Sequence, residues 1–357
     1  MKIKKDAKID IMSVTSMGVR LTPQNSQPVH VSNIYEMHAT SAESNVLNIS
    51  SSLGLNAKVL TKFVMDSPIA EFIKSELRKR NITYEGVEVK PDGPWGVRHQ
   101  FNIADSGFGV RGPIVYNDRA GEVGRTISPE DFEIDRIFKE DGCRLIHISG
   151  LIAAMSESTL ETILTVAKAA KENGTLMSFD LNYRASFWQG REQELRAAFK
   201  EIASKADIII GNEEEYQFAL GIEGPPADGK GITDGIDSFK GMVERAAVAY
   251  PNVEVFATTL REVECSSQHL WGALLRANGT WYEEFPRPIR VLDRIGGGDG
   301  FVGGLLFGIL KEWEPVKWMQ FGWATGALAT TMLTDYGTPV DEDQVWSIYK
   351  GNARVKR

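Results

Sequence analysis

The segment Val291-Leu292-Asp293-Arg294-Ile295-Gly296-Gly297-Gly298-Asp299-Gly300-Phe301 concentrates residue types suited to handling a phosphoryl group. Three glycines stand ahead of a small and apolar stretch that reads as a helix through Lys311. Such a turn lets backbone amides converge on an anion, and the positive end of the helix adds to the field. Asp299, in the first helical turn, is favoured there as a carboxylate and can take a proton from an attacking hydroxyl if it projects into a pocket. The same pattern also fits a plain glycine turn capped by Asp299, so other segments must decide.

Two strand ends supply further candidates. Asp207 to Ile210 is followed by Gly211-Asn212-Glu213-Glu214-Glu215-Tyr216, where Asn212 and Glu215 can orient water around a magnesium ion or form a capping box. Ser178-Phe179-Asp180-Leu181-Asn182-Tyr183-Arg184 ends another strand. Ligands of open α/β sheets collect at such carboxyl ends. Arg184 fits a clamp for carboxylate or phosphate as well as it fits a surface ion pair. The five histidines, at positions 30, 38, 99, 147 and 269, show no metal-ligand spacing and read as structural. Trp313, Trp318, Phe321 and Trp323 read as packing of the last helices.

The elements that must position these residues alternate. Apolar runs at Arg144 to Ser149, Thr175 to Leu181, Asp207 to Ile210 and Val253 to Thr258 are separated by helical patterns at Glu157 to Glu172 and Arg191 to Lys205. That order specifies an α/β core with a parallel sheet covered by helices. Before residue 130 the pattern changes. Helices are expected at Glu43 to Leu53 and Ile69 to Arg80, and strands at Ile11 to Thr22, Val29 to His38, Val97 to Ile103 and Gly109 to Tyr116. These strands suit a small sheet projecting from the core.

Bulk properties narrow the function. The 357 residues carry a formal charge of −8, with 42% hydrophobic and 25% charged residues, which argues against a general nucleic-acid surface. Cys143 and Cys265 lie far apart without metal spacing and are expected to be reduced. No stretch reaches the roughly 20 apolar residues that span a bilayer. The lysine-rich N-terminus has no apolar segment of signal-peptide length behind it, so a cytoplasmic protein without membrane or nucleic-acid partners is expected.

Taken together, Asp293 to Asp299, Asn212 to Glu215, Asp180 to Arg184, and Thr259-Leu260-Arg261-Glu262 with Trp271-Gly272 resemble the ribokinase-like, or PfkB, carbohydrate kinases. Within them the chain is most similar to the 2-keto-3-deoxygluconate kinases. The resemblance runs over nearly the whole chain and implies a single unit, residues 1–357. Its fold would be a ribokinase-like three-layer α/β/α core with a small β-sheet lid built from about 11–38 and 82–118. It also implies ATP and magnesium as co-substrates, with a monovalent cation as a further candidate, and phosphorylation of a sugar-acid hydroxyl. By the same resemblance Asp299 is the general base, Gly296, Gly297 and Gly298 form the anion hole, and Asn212 and Glu215 organise magnesium through water. Asn182, Arg184, Thr259, Leu260 and Arg261 would approach the nucleotide. Thr40, Ser41, Asn45, Arg98, Arg119 and Arg184, with Asp299, would face the substrate. Pairing of lids would make a homodimer.

Departures from the family pattern fall on the sugar side. Thr40-Ser41-Ala42-Glu43-Ser44-Asn45 lacks the usual glycines, Thr15-Ser16 stands where an early acidic residue is usual, and Arg98 takes the place of a tyrosine. If Arg98, Arg119 and Arg184 converge, the pocket favours a strongly anionic ligand. Two other readings remain open at this point: a ligand-binding relative without turnover, and a nucleoside kinase with an aromatic-lined lid pocket. A dinucleotide-dependent oxidoreductase lacks its strand-linked glycine fingerprint.

Overall fold

The computed structural model describes residues 1–224 and 235–354. Seven strands run parallel from one edge of the large sheet: β5 (Ile82–Val89), β4 (Ala57–Val64), β1 (Ile9–Val14), β8 (Cys143–Ser149), β9 (Leu176–Asp180), β10 (Ile208–Ile210) and β11 (Val255–Cys265). The antiparallel β12 (Gln268–Ala277) and β13 (Thr280–Arg290) complete its nine strands. Alternate residues of each strand feed opposite faces, as a period of two requires. Met12 and Ile146 join the core under the Glu157–Glu172, Glu192–Ala203 and Ile236–Ala249 helices. Ile11 and Leu145 join the core under the Ala42–Ser52, Pro68–Lys79, Gly297–Leu310 and Pro315–Ala329 helices. This is the expected α/β/α layering.

Local signals explain where the helices begin. Ser41 caps the Ala42–Ser52 helix by accepting the Ser44 amide at 3.0 Å, and Ser156 with Thr159 forms a reciprocal cap on Glu157–Glu172. Ser67 precedes Pro68 at the start of the Pro68–Lys79 helix. The Gly297–Leu310 helix is buried on almost every side. It crosses the Pro315–Ala329 helix so closely that a β-carbon on Gly304 would lie 2.0 Å from Thr325 Oγ1. Trp313 and Phe321 pack edge to face beside it, so the late aromatic residues are core, as expected.

The second sheet has the order β3 (Tyr35–Thr40), β2 (Gly18–Pro23), β6 (Phe101–Asp105), β7 (Ile114–Asp118). Here the expectations shift. The segment Ile11 to Thr22 is two strands in two sheets, because the chain leaves the large sheet at Thr15 and Ser16, whose hydroxyls turn to buried carboxylates. Residues 82–89 belong to the large sheet, where Ile82 to Val89 pair with Ala57 to Val64, so the first part of the segment 82–118 lies outside the small sheet. The strand expected at Val29 to His38 begins only at Tyr35 and that expected at Gly109 to Tyr116 begins at Ile114, after Gly109 at a φ of 54° and after Pro113. Proline cannot donate to a ladder, which fits a late start. Among the described residues, no helix is long and apolar enough to cross a membrane.

Candidate active site

The glycine turn does what its composition requires. Gly296 is the N-cap of the Gly297–Leu310 helix at a φ of 84°, and a β-carbon there would lie 1.8 Å from the backbone oxygen of Asp335. Only glycine fits both constraints. No side chain caps this helix. The first-turn amides of Gly298 and Asp299 therefore have no intrahelical acceptor and face open space at Gly298, which can receive an anion. Asp293 fixes the approach to the turn by accepting the Ile295 amide at 3.0 Å.

Asp299 stands at the edge of this cradle, partly open to solvent but surrounded by protein. Its Oδ2 accepts from Asn45 Nδ2 at 2.9 Å. Desolvation pushes its carboxyl up to about 8, against the Asn45 hydrogen bond, with the nearby Asp180, Asp335 and Glu43 adding to the rise. A carboxylate so placed is a stronger base than an ordinary aspartate.

On one side lie the ends of three neighbouring strands, β8, β9 and β10. Asn182, at a φ of 38°, donates from Nδ2 to Ser149 Oγ at 3.0 Å, and its Oδ1 is buried without a partner. Asn212 and Glu215 form a full capping box at 2.9 and 3.0 Å. Only Glu215 Oε2 is used by the box, and Oε1 faces Arg184 Nη1 at 3.8 Å. Burial, and then the charge of Asp180, raise the Glu215 carboxyl above its ordinary range. An added cation would relieve that pair. No cluster of three acidic, histidine or cysteine ligands occurs among the described residues, so a divalent ion would keep water or phosphate in its shell.

Thr259, Leu260 and Arg261 follow on β11, beyond its pairing with β10. Desolvation and repulsion from Arg294 pull the Arg261 guanidinium down to about 10. His269, desolvated and facing both arginines, is pushed down to about 4. Arg261 and Arg294 thus bring uncompensated positive charge beside the glycine turn, the right sign for a polyphosphate.

On the other side is a cavity of about 210 Å³, part of it continuous with solvent, lined by Ser16, Ser41, Glu43, Gln100, Arg119 and the apolar Leu151, Ile152 and Met155, with Ala42. Glu43 is buried. Its Oε2 accepts from Thr15 Oγ1 at 2.6 Å, and its Oε1 has no hydrogen-bond partner among the described residues. Desolvation raises its carboxyl above the usual range. Arg119 donates from Nη1 to both oxygens of Glu122, at 2.8 and 2.9 Å, and its Nε is unpartnered. Ser16 Oγ donates to the same Glu122 at 2.6 Å. Carboxylates have therefore come to Thr15 and Ser16 from elsewhere in the chain.

The candidate substrate residues divide. Ser41 and Arg119 line the cavity, and Asn45 holds Asp299. Thr40 turns its hydroxyl away to Asp335 Oδ2 at 2.7 Å. Arg98 pairs with Asp118 and with the Ala120 carbonyl, Arg119 with Glu122, and Arg184 with Glu215. Each of the three arginines thus has a carboxylate partner of its own. Arg98 is held by β7 and the turn after it.

A model of pfkB family carbohydrate kinases matches residues 9–338. The chain belongs to that family. It is 28% identical over 336 residues, 93% of its own length and 94% of the relative's, to a 2-dehydro-3-deoxygalactonokinase of Haloferax volcanii. It is 23% identical to a 5-dehydro-2-deoxygluconokinase of Clostridium perfringens, over 90% of the chain and 87% of the relative. The crystal structure of a 2-dehydro-3-deoxygluconokinase from Thermotoga maritima superposes with a TM-score of 0.86 at 25% identity, covering 96% and 98% of the two chains. The chain is thus a carbohydrate kinase, a phosphotransferase of ribokinase-like fold.

Several residues of this PfkB kinase's site carried no usable sequence signal. Glu43 stands inside Thr40-Ser41-Ala42-Glu43-Ser44-Asn45 but reads there as a first-turn acid behind a serine cap. Glu122 follows a glycine turn, and Asp335 lies in no motif. Arg294 sits within the glycine segment itself. Nothing in the sequence marks its charge as one left without a carboxylate partner.

Proposed function

We propose that this kinase transfers the terminal phosphoryl group of ATP to a hydroxyl of a small sugar acid of the 2-keto-3-deoxygluconate type. The observation that carries this is Asp299. A base with a raised pKa, held by Asn45, stands in the first turn of a helix whose uncapped amides form an anion cradle. Asp299 Oδ2 is oriented by Asn45, and the carboxylate accepts the proton as the acceptor hydroxyl attacks the phosphorus. The Gly296–Gly298 amides receive the charge that develops on the transferred group. Asn182, Arg184 and Thr259 to Arg261 hold the nucleotide, with Arg294 beside them. Asn212 and Glu215, with Asp180, are the groups that would hold magnesium through water, and the ion supplies neutralisation of phosphate charge.

On the acceptor side, Glu43 Oε1 and Arg119 Nε have no hydrogen-bond partner within bonding distance among the described residues, and they suit a sugar hydroxyl and a carboxylate respectively. The relatives named for 2-dehydro-3-deoxy and 5-dehydro-2-deoxy sugar acids support this substrate class. A purine acceptor fits less well, since among the described residues no aromatic side chain lines the cavity. Two copies pairing through the small sheet complete the reading, supported by the exposure of Ile34, Phe108, Val110, Ile114 and Tyr116 on it or its connections. The test is ligand-dependent ATP consumption over a panel of keto-deoxy sugar acids, their epimers and neutral sugars. Turnover with an acid, abolished in Asp299→Asn, is expected. A preference for a neutral sugar overturns the acid assignment, and absence of turnover across the panel favours a binding protein without catalysis.

A further inference from the structure

Beneath the glycine turn lies a buried network that the phosphoryl chemistry does not explain by itself. It begins at Arg20 on β2, whose side chain is 1% exposed. The guanidinium donates from Nη2 to Asp293 and from Nη1 to Asp335. Asp293 is the residue whose other oxygen holds the Ile295 amide. Asp335 presses its backbone oxygen against Gly296 and accepts Thr40 Oγ1 at 2.7 Å. Thr40 Oγ1 in turn accepts Asn45 Nδ2 at 3.3 Å, and the same Nδ2 donates to Asp299.

The charges decide how this network stands. Asp293 and Asp335 are 0% and 5% exposed and flank a loop meant to receive an anion. Two unneutralised carboxylates there would be costly to bury and would repel the incoming phosphoryl group. A planar guanidinium reaches two carboxylates at once, which an ammonium cannot do with the same geometry. Arg20 comes from the small sheet, whereas Asp293 and Asp335 belong to the chain around the helical layer. The ion pairs therefore tie the small sheet to the loop.

We infer that Arg20 is a positioning residue that serves as a resident cation for the anion loop, so that the loop needs no free monovalent ion. This rests on the kinase reading above. Thr40 belongs to the same device. Its hydroxyl, which departs from the family's glycine, continues the chain of contacts from Asp335 to Asn45 and so to the base.

The experiment compares the wild-type protein with Arg20→Ala and Arg20→Lys in sodium, potassium and tetramethylammonium salts, with and without sub-denaturing guanidinium. Wild-type kcat should be the same in all three salts. Arg20→Ala should lose about 100-fold in kcat, with KM for the sugar acid changed less than about threefold, and guanidinium should restore about tenfold of the loss. Arg20→Lys should fall between the two. A wild-type rate that requires potassium overturns the inference without any variant, as does an Arg20→Ala protein that keeps its kcat. A folded, slow Arg20→Ala protein that no cation rescues also overturns it, because the side chain would then be only structural. If no acid on the panel supports wild-type turnover, the kinase reading fails, and calorimetric affinity for magnesium–ATP still tests Arg20. About tenfold weaker binding in Arg20→Ala, recovered by guanidinium, supports the inference, and unchanged binding refutes it.

Discussion

The glycine turn and the acceptor cavity are built in opposite ways. The turn is one contiguous stretch, Asp293 to Asp299, in which an Asx contact, a left-handed glycine and uncapped helical amides follow from local residue chemistry. The cavity is assembled from Thr15, Ser16, Glu43, Gln100, Arg119 and Glu122, which long loops and both sheets bring together. On the proposed reading, donor chemistry rests on a local motif, whereas acceptor choice depends on pairs that are distant in sequence. Thr15 and Ser16 illustrate it. Each hydroxyl donates to an acid delivered from elsewhere, Glu43 or Glu122.

The largest effect should come from the turn. Asp299→Asn keeps the shape and the Asn45 neighbourhood but removes the proton acceptor, and kcat should fall about 10³-fold in a coupled ATP assay, with modest change in KM. A loss below tenfold would move the base elsewhere.

The pH profile comes next. Only deprotonated Asp299 can take the hydroxyl proton, and its pKa in the free protein is raised to about 8. The sign follows. kcat/KM should fall as pH drops through about 8, approaching tenfold per unit below it, since this parameter reports the free enzyme. An acid limb near the ordinary carboxylate value of about 4 would show that Asp299 is not held as described.

In the cavity the effects should be smaller. Glu43→Gln replaces a hydroxyl acceptor with an amide of the same shape, and kcat/KM for the acid should drop about tenfold, mostly through KM, as the loss of one hydrogen bond to a charged group predicts. An equal loss in kcat would place Glu43 in the chemistry instead.

The smallest effect on turnover is expected on the outer face of the small sheet. Ile114 on β7 is 58% exposed. Ile114→Asp should leave kcat within about twofold, yet shift the mass measured by light scattering from dimer to monomer, because a charge buried at an apolar contact is costly. A wild-type monomer would remove pairing from the account.

What was legible in the sequence follows the same division. The helices expected from Glu43, Ile69 and Glu157 and the glycine turn rest on interactions within a few residues, and the apolar runs of β8, β9 and β10 mark buried strands by composition alone. The split of Ile11 to Thr22 between two sheets was hidden, because nothing in the apolar pattern marks the point where the chain leaves one sheet for the other. The partners of Arg98, Arg119 and Arg184 were hidden too. Each pairs with a carboxylate whose partnership depends on tertiary placement, and a count of arginines cannot show which carboxylate each one meets. Arg20 and Asp335 are 315 positions apart and meet only once the small sheet lies over the helical layer.

The central claim is that an ordinary donor turn serves a sugar-acid acceptor. The measurement that bears on it most directly is ATP consumption by the wild-type protein and Asp299→Asn over 2-keto-3-deoxy sugar acids, their epimers and matched neutral sugars. The account predicts turnover for at least one acid, a clear preference over its neutral analogue, and loss of about 10³-fold in Asp299→Asn. Equal or better turnover of the neutral sugars, or consumption that Asp299→Asn leaves intact, would contradict it.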